Sequence, residues 1–261
     1  MTSHAYSLEH YILIIDKARA SGYEFVRMQD LLHRSRPKRF MFIRHDVDIT
    51  PWAALAMAEL EHSQGVATSY YFRLHALTYN LLSREAAEVV RLIEQLGHEV
   101  GLHYEPGFFM ELGRDPVEGV RNDIRIFEEL LGKKTYTIAQ HQPAQRPLLL
   151  KYSQQHRCAY EPEFVREIPY FADSGFHWRE GCICTKIGKL PQIHTLIHPH
   201  SWTEKAQPWR EVLRMHAGDL SARLSNDMEA YISSVEQYLH QRSELDRARE
   251  GLYHQYREKN G

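Results

Sequence analysis

A pair of aspartates, Asp46 and Asp48, follows an apolar segment that has the composition of a buried β-strand. Because side chains alternate along a strand, the two carboxylates project to the same side. Two carboxylates at this spacing repel each other unless a cation or a proton lies between them. The pair is therefore a candidate for metal binding or acid–base chemistry. The alternative is that Asp48 caps the helix that begins at Pro51, while Asp46 is bound to Arg44.

Histidines end three later strand candidates, and these residues are His103, His141 and His198. The chain contains 17 histidines, and histidine is both a common metal ligand and a side chain that titrates near neutral pH. In parallel α/β folds the carboxyl ends of the strands meet at one edge, where the functional site lies. An aspartate and two neutral imidazoles with an open coordination position suit a catalytic divalent metal.

The elements that must position these residues follow from the apolar pattern, which predicts alternating strands and helices. Strands are predicted over 39–48, 66–73, 98–105, 135–141 and 193–198, and helices over 7–20, 51–65, 84–96 and 115–131. Short joins marked by glycine between such elements are typical of a parallel α/β sheet. No sustained period is present over 143–189. A long amphipathic helix is predicted at the C-terminus, either packed against the domain or forming a dimer seam.

Length and composition are those of one ordinary globular domain. The chain has 261 residues, close to the roughly 250 that a single (β/α) barrel needs. A formal net charge of −2 gives no basic excess that would indicate nucleic acid or an anionic membrane as the partner. We expect Cys158, Cys182 and Cys184 to be ordinary reduced cysteines in a cytoplasmic protein without a membrane span.

Four segments together resemble polysaccharide deacetylase-type (NodB-homology) hydrolases. They are Arg44-His45-Asp46-Val47-Asp48, the Gly-His-Glu-Val-Gly-x-His run from Gly97 to His103, Asp173-Ser174-Gly175 with Trp178, and His198-Pro199. The first is similar to the motif of a subgroup that occurs among surface-polysaccharide biosynthesis genes. The resemblance covers roughly residues 39–202. It implies a single domain over 1–261, an α/β fold that is a distorted, incomplete (β/α) barrel, with a C-terminal helical extension over 221–258.

The resemblance also implies roles for the aspartates and the first histidine. Asp46 matches the base of the family's first motif, Asp48 matches a metal ligand and His103 matches the ligand histidine of the second motif. The family's next histidine falls four residues later, where this chain has Gly107. The third ligand must therefore come from elsewhere: His141 is the first choice, with His198 and Glu105 as the alternatives.

Other matched positions are expected to assist the reaction or to bind the substrate. His198 matches the late-strand general acid, and His200 is a nearby competitor for that role. Asp173 and Trp178 match the segment that buttresses the site and lines the sugar pocket. Arg73 is a candidate to bind a carboxylate or phosphate of the substrate, and Glu105 is a further candidate on the face that carries His103.

The expected activity is removal of an acyl group from an N-acylated sugar, or from a similar small amide, with the help of a divalent metal. Zinc is the default ion, while iron, cobalt and manganese also fit such ligands. A nucleotide-linked or lipid-linked sugar is the expected substrate, and the protein is expected to be a monomer or a dimer. Two alternatives remain open: a non-catalytic carbohydrate-binding protein, and a metal enzyme for deformylation or for opening a cyclic amide.

Overall fold

A computed structural model describes residues 6–33, 35–143 and 155–260 of the chain. The helices within these ranges are α1 (Leu8–Ala20), α2 (Asp30–His33), α3 (Pro51–Ser63), α4 (Arg84–Gln95), α5 (Pro106–Glu111), α6 (Pro116–Leu131), α7 (Pro162–Val165) and α8 (Trp209–Asn260). The strands are β1 (Glu24–Val26), β2 (Phe40–Val47), β3 (Ser69–Phe72), β4 (Glu99–Tyr104), β5 (Thr137–Gln140), β6 (Arg157–Cys158), β7 (Tyr170–Ala172) and β8 (Gln192–Ile197).

All paired strands run parallel and form one curled sheet in the order β6-β5-β4-β3-β2-β8-β7. The strand β1 pairs with the first part of β2, at Phe40 to Phe42, whereas β3 pairs with the last part, from Arg44 to Val47. Helices surround the sheet, which closes only part of a barrel. The predicted fold class, an incomplete (β/α) barrel with a long C-terminal helix, is confirmed.

The strand β2 is central, and every residue from Phe40 to Val47 is buried. Such a strand has both faces covered, as in other parallel sheets between helices. Alternation along the strand directs Asp46 towards His103 and turns His45 the other way, towards Glu61 of α3. The site is therefore built on one face of a strand that is fixed from both sides.

Helix ends follow local chemistry that the sequence carries. The Ser7 side chain accepts a hydrogen bond from the amide of His10 at the start of α1, and the Asp115 side chain accepts one from Val117 at the start of α6. Gly132 ends α6 with a φ of 67°, a conformation that glycine adopts without strain. Thr50 precedes α3, but its side chain makes no capping hydrogen bond, so Pro51 alone marks that helix start.

The structure differs from the sequence-based expectation mainly in short elements. The strands β1, β6 and β7 and the helices α2, α5 and α7 have two to six residues each and were not predicted. A periodic pattern cannot be recognised over so few residues.

The C-terminal helix begins at Trp209, earlier than the predicted extension at residue 221. The contacts between residues divide the chain into two compact units, residues 1–212 and 213–261.

Helix α8 is 52 residues long and carries an apolar stripe whose side chains are exposed. Charged residues occur along its whole length. Among the helices that the structure describes, none is both long and apolar enough to cross a membrane.

Candidate metal centre

Three side chains converge at the carboxyl ends of β2, β4 and β5: Asp48, His103 and His141. Asp48 Oδ1 lies 3.3 Å from His103 Nε2 and 3.2 Å from His141 Nδ1. The two imidazole nitrogens lie 3.2 Å from each other. One carboxylate oxygen and two ring nitrogens thus form a nearly equilateral triangle, which is the arrangement that three ligands of one cation take.

The imidazole of His103 is held in the orientation that a metal ligand needs. Its Nδ1 lies 3.0 Å from the carbonyl oxygen of Ala139, with which His103 is paired in the β4–β5 register. A carbonyl oxygen only accepts hydrogen bonds, so Nδ1 carries the proton and donates it. The lone pair of a neutral His103 is therefore on Nε2, the nitrogen that faces Asp48, and a backbone carbonyl of this kind is a common outer partner of a ligand histidine.

The residues present fit a divalent cation. Among the described residues, the buried Oδ1 atom of Asp48 has no hydrogen-bond donor in acceptable geometry. Burial raises the pKa of Asp48, but the imidazoles of His103, His141 and His198 outweigh that effect and hold the pKa well below its ordinary value. Burial, aided by His103 and Arg73, lowers the pKa of His141 despite the nearby Asp48 carboxylate. The cluster therefore offers an ionised carboxylate and a neutral imidazole, the forms that bind metals.

Asp46 lies beside this triangle but has a different set of partners. Its Oδ2 atom accepts a hydrogen bond of 3.0 Å from Arg44 and lies 3.6 Å from His103 Nε2. The Arg44 guanidinium also donates to the Tyr160 hydroxyl at 2.6 Å and lies over the Tyr160 ring. The other oxygen of Asp46, Oδ1, has no hydrogen-bond partner among the described residues. The alternative interpretation of the aspartate pair is thus correct for Asp46, which does bind Arg44. Asp48, which that interpretation made a helix cap, faces imidazoles instead.

His198 approaches the triangle from the end of β8. Its Nε2 atom lies 3.7 Å from Asp48 Oδ2, and its Nδ1 donates to Asp173 Oδ1 at 2.6 Å. Trp202 Nε1 donates to the other oxygen of Asp173 at 2.8 Å. Burial lowers the pKa of His198, but the charge and hydrogen bond of Asp173, with the charges of Asp48 and Asp46, raise it to about 9. His198 is therefore held as an imidazolium at neutral pH.

Arg73 and Glu105 form an ion pair at the rim of the cluster. Arg73 also reaches the backbone carbonyl of Asp48 at 3.3 Å. The Glu105 carboxylate is bonded to this guanidinium and is not part of the triangle. Of the three alternatives for the third ligand, the structure brings His141 into the cluster.

The two remaining sequence-predicted site residues lie farther out. The His200 ring is 5.7 Å from the His198 ring and also contacts Phe176. Trp178 is buried in the apolar cluster that includes Tyr11 and Ile183, where it supports the loop after β7. A sugar-binding role for either residue stays a prediction.

Sequence reasoning missed Tyr160 and Trp202, which hold Arg44 and Asp173 in place. Tyr160 lies in the segment without a periodic pattern, so no signal pointed to it. Trp202 follows His198 by four residues in a short turn, and this proximity to a predicted site residue was an available signal. Neither a protein-family model nor a curated protein matches this chain.

Proposed function

We propose that this protein is a metal-dependent hydrolase of the polysaccharide deacetylase (NodB-homology) type. It removes an acyl group from an N-acylated sugar or a similar small amide. The observation that carries the proposal is the Asp48–His103–His141 triangle, which has an aspartate on one side and a histidine on the other. Water attack on an amide needs a base for the water and an acid for the leaving nitrogen, and these two side chains supply both.

The chain's own residues divide the proton transfers between them. A bound divalent cation supplies Lewis acidity towards the amide carbonyl and makes water a stronger acid. Asp46 accepts the proton of the attacking water through Oδ1, because Arg44 occupies Oδ2. His198 gives its Nε2 proton to the leaving amine, and Asp173 holds the imidazolium in position through Nδ1. One proton is therefore taken up by Asp46 on one side of the ligand triangle, and a different proton is given up by His198 on the other side.

The residues of the site indicate which metal ions and which substrates would fit. Zinc suits one carboxylate and two imidazoles with an open position, and iron, cobalt or manganese also fit. Arg73, at the rim, is a cation that a phosphate of a nucleotide-linked or lipid-linked sugar would meet, in competition with Glu105. As part of this proposal, the protein acts in the cytoplasm on a precursor in surface-polysaccharide biosynthesis.

The proposal is tested by offering metal-loaded protein a panel of N-acetyl and N-formyl amino sugars, both free and nucleotide-linked. Released acetate or formate is measured, together with the metal content of protein purified without chelators or a nickel column. We expect release by the natural chain and by His240→Ala, an exposed histidine of α8, but none by His103→Ala. Sugar binding without release of acid from any compound would contradict the hydrolase and favour a carbohydrate-binding protein.

A further inference from the structure

A second group of metal-ligating side chains lies outside the centre described above. It consists of His10 on α1 and of Cys182 and Cys184, at the turn Ile183–Thr185 that precedes β8. One ligand atom from each residue lies within 4.8 Å of the other two. His10 and Cys182 are 172 positions apart in sequence, so only the fold brings this group together.

The distance between the ligand atoms of His10 and Cys182 agrees with tetrahedral zinc. The His10 Nε2 atom is 3.4 Å from Cys182 Sγ. Typical zinc–sulfur and zinc–nitrogen bonds at a tetrahedral angle place two such ligand atoms about 3.6 Å apart. The observed distance is within a few tenths of an ångström of that value. Two sulfurs and one imidazole nitrogen, with a fourth position for water, form a known type of zinc site.

Two groups near the sulfurs favour the thiolate form that binds metals, whereas burial opposes it. The backbone amide of Cys184 lies 3.4 Å from Cys182 Sγ and donates to it. The Lys17 ammonium lies beside the turn and donates to the Cys184 carbonyl oxygen at 2.6 Å. Both cysteines are buried, however, and burial with the neighbouring Cys184 thiol raises the pKa of Cys182 to about 12. The Cys184 amide and the Lys17 ammonium therefore only partly offset the effect of burial.

We propose that His10, Cys182 and Cys184 bind a thiophilic divalent cation such as zinc, with water as the fourth ligand. The ion joins α1 to the turn before β8, two parts of the chain that share an apolar cluster. The His10 ring contacts the ring of Trp202, which donates to Asp173. The ion would therefore lie behind the segment that holds His198, and its binding does not depend on the proposed hydrolase activity.

The experiment is a Co²⁺ titration of metal-free, reduced full-length protein, followed by near-ultraviolet absorption. Only a cobalt ion bound to thiolates gives a sulfur-to-metal charge-transfer band, so the Asp48 centre is silent in this measurement. We expect the band to appear, and to be reduced by about half in Cys184→Ser, which removes one of two thiolate ligands. We expect Cys158→Ser to leave the band unchanged, because this buried cysteine lies outside the group.

Affinity and thiol protection complete the test. His10→Asn should weaken Co²⁺ binding by more than the roughly 10–100-fold typical of a lost outer-shell partner. In the natural chain, Zn²⁺ should slow alkylation of Cys182 and Cys184, a measurement that needs no variant to fold. Absence of the band together with unchanged alkylation rates would overturn the proposal. If air oxidised the reduced protein to a Cys182–Cys184 disulfide as fast with Zn²⁺ present as without it, the proposal would be overturned as well.

Discussion

Asp173 accepts hydrogen bonds from three donors, two on His198 and one on Trp202, and its side chain is fully buried. The backbone amide and the Nδ1 atom of His198 both point to the same carboxylate, at 3.1 and 2.6 Å from Oδ1. The histidine ring is thereby fixed in direction and in tautomer. Its Nε2 atom can point only towards the Asp48 side of the cluster, where a leaving amine would have to receive a proton.

The first prediction concerns this carboxylate. Asp173→Asn keeps an oxygen acceptor but removes the negative charge that stabilises the His198 imidazolium. We expect kcat/KM for acid release to fall by about 10²–10⁴-fold, the usual contribution of a general acid. Metal content should stay unchanged, because Asp173 is not a ligand. Trp202→Phe removes only one of the hydrogen bonds and should cost much less, so equal losses in both variants would contradict a special role for the charge.

The second prediction separates Asp46 from Asp48. Asp46→Asn should retain the metal and lose the base, which is worth about 10²–10⁴-fold in rate. Asp48→Asn should lose metal, since an amide replaces a charged ligand. Metal content by elemental analysis and acid release are measured on the same samples, with the exposed Asp227→Asn as the matched control. Equal metal content in the two site variants would show that the assigned roles are wrong.

The third prediction addresses the third ligand. His141→Ala should lower metal affinity well beyond the roughly 10–100-fold typical of an outer-shell residue. Glu105→Gln should leave affinity nearly unchanged, because the Glu105 carboxylate is bonded to Arg73 and lies outside the ligand triangle. Competition with a metal indicator dye measures both constants. A larger loss in Glu105→Gln than in His141→Ala would reverse the assignment.

The long elements of the sheet could be predicted from the sequence because their signals are local. The strand β2 is continuously apolar before Arg44, and Gly97 and Gly132 mark helix ends. Their order alone predicts that the strand ends meet at one edge, so the aspartate pair and His103, His141 and His198 were predicted to be neighbours. The prediction needed no knowledge of side-chain packing.

The partners of the site residues could not be predicted in the same way. Tyr160 contacts Arg44 across 116 positions, and the strand that precedes it, β6, has two residues that form only by pairing with β5. Glu61 is a glutamate, a residue type that is almost never fully buried, yet it lies on the buried face of α3 with no exposed surface. Such contacts depend on the three-dimensional arrangement of the whole sheet.

Glu61 is the acceptor of a buried network on the opposite face of β2. It accepts hydrogen bonds from His45 at 2.8 Å, Thr68 at 2.8 Å and Tyr70 at 2.6 Å, and a further one from Tyr11. Burial raises the pKa of Glu61, but the charge and hydrogen bond of His45, with His98 and Tyr11, outweigh it and lower the pKa to about 2. The ionised form is therefore favoured in the folded state over the unfolded state.

The last prediction follows from the sign of this shift. A carboxyl group whose folded-state pKa is depressed stabilises the fold above its unfolded pKa, about 4.3, and loses that contribution as the pH falls towards 2. At about 1.4 kcal/mol per pKa unit, the contribution is on the order of 3 kcal/mol. We expect the natural chain to lose this much of its free energy of unfolding between pH 4.5 and 2, beyond the loss from other carboxylates.

Glu61→Gln should be less stable at pH 7 and should lose correspondingly less stability over that range. Glu59→Gln, which is exposed on the same helix, should behave like the natural chain. Urea unfolding at several pH values measures these differences, and parallel pH curves for the natural chain and Glu61→Gln would disprove the role of the Glu61 charge.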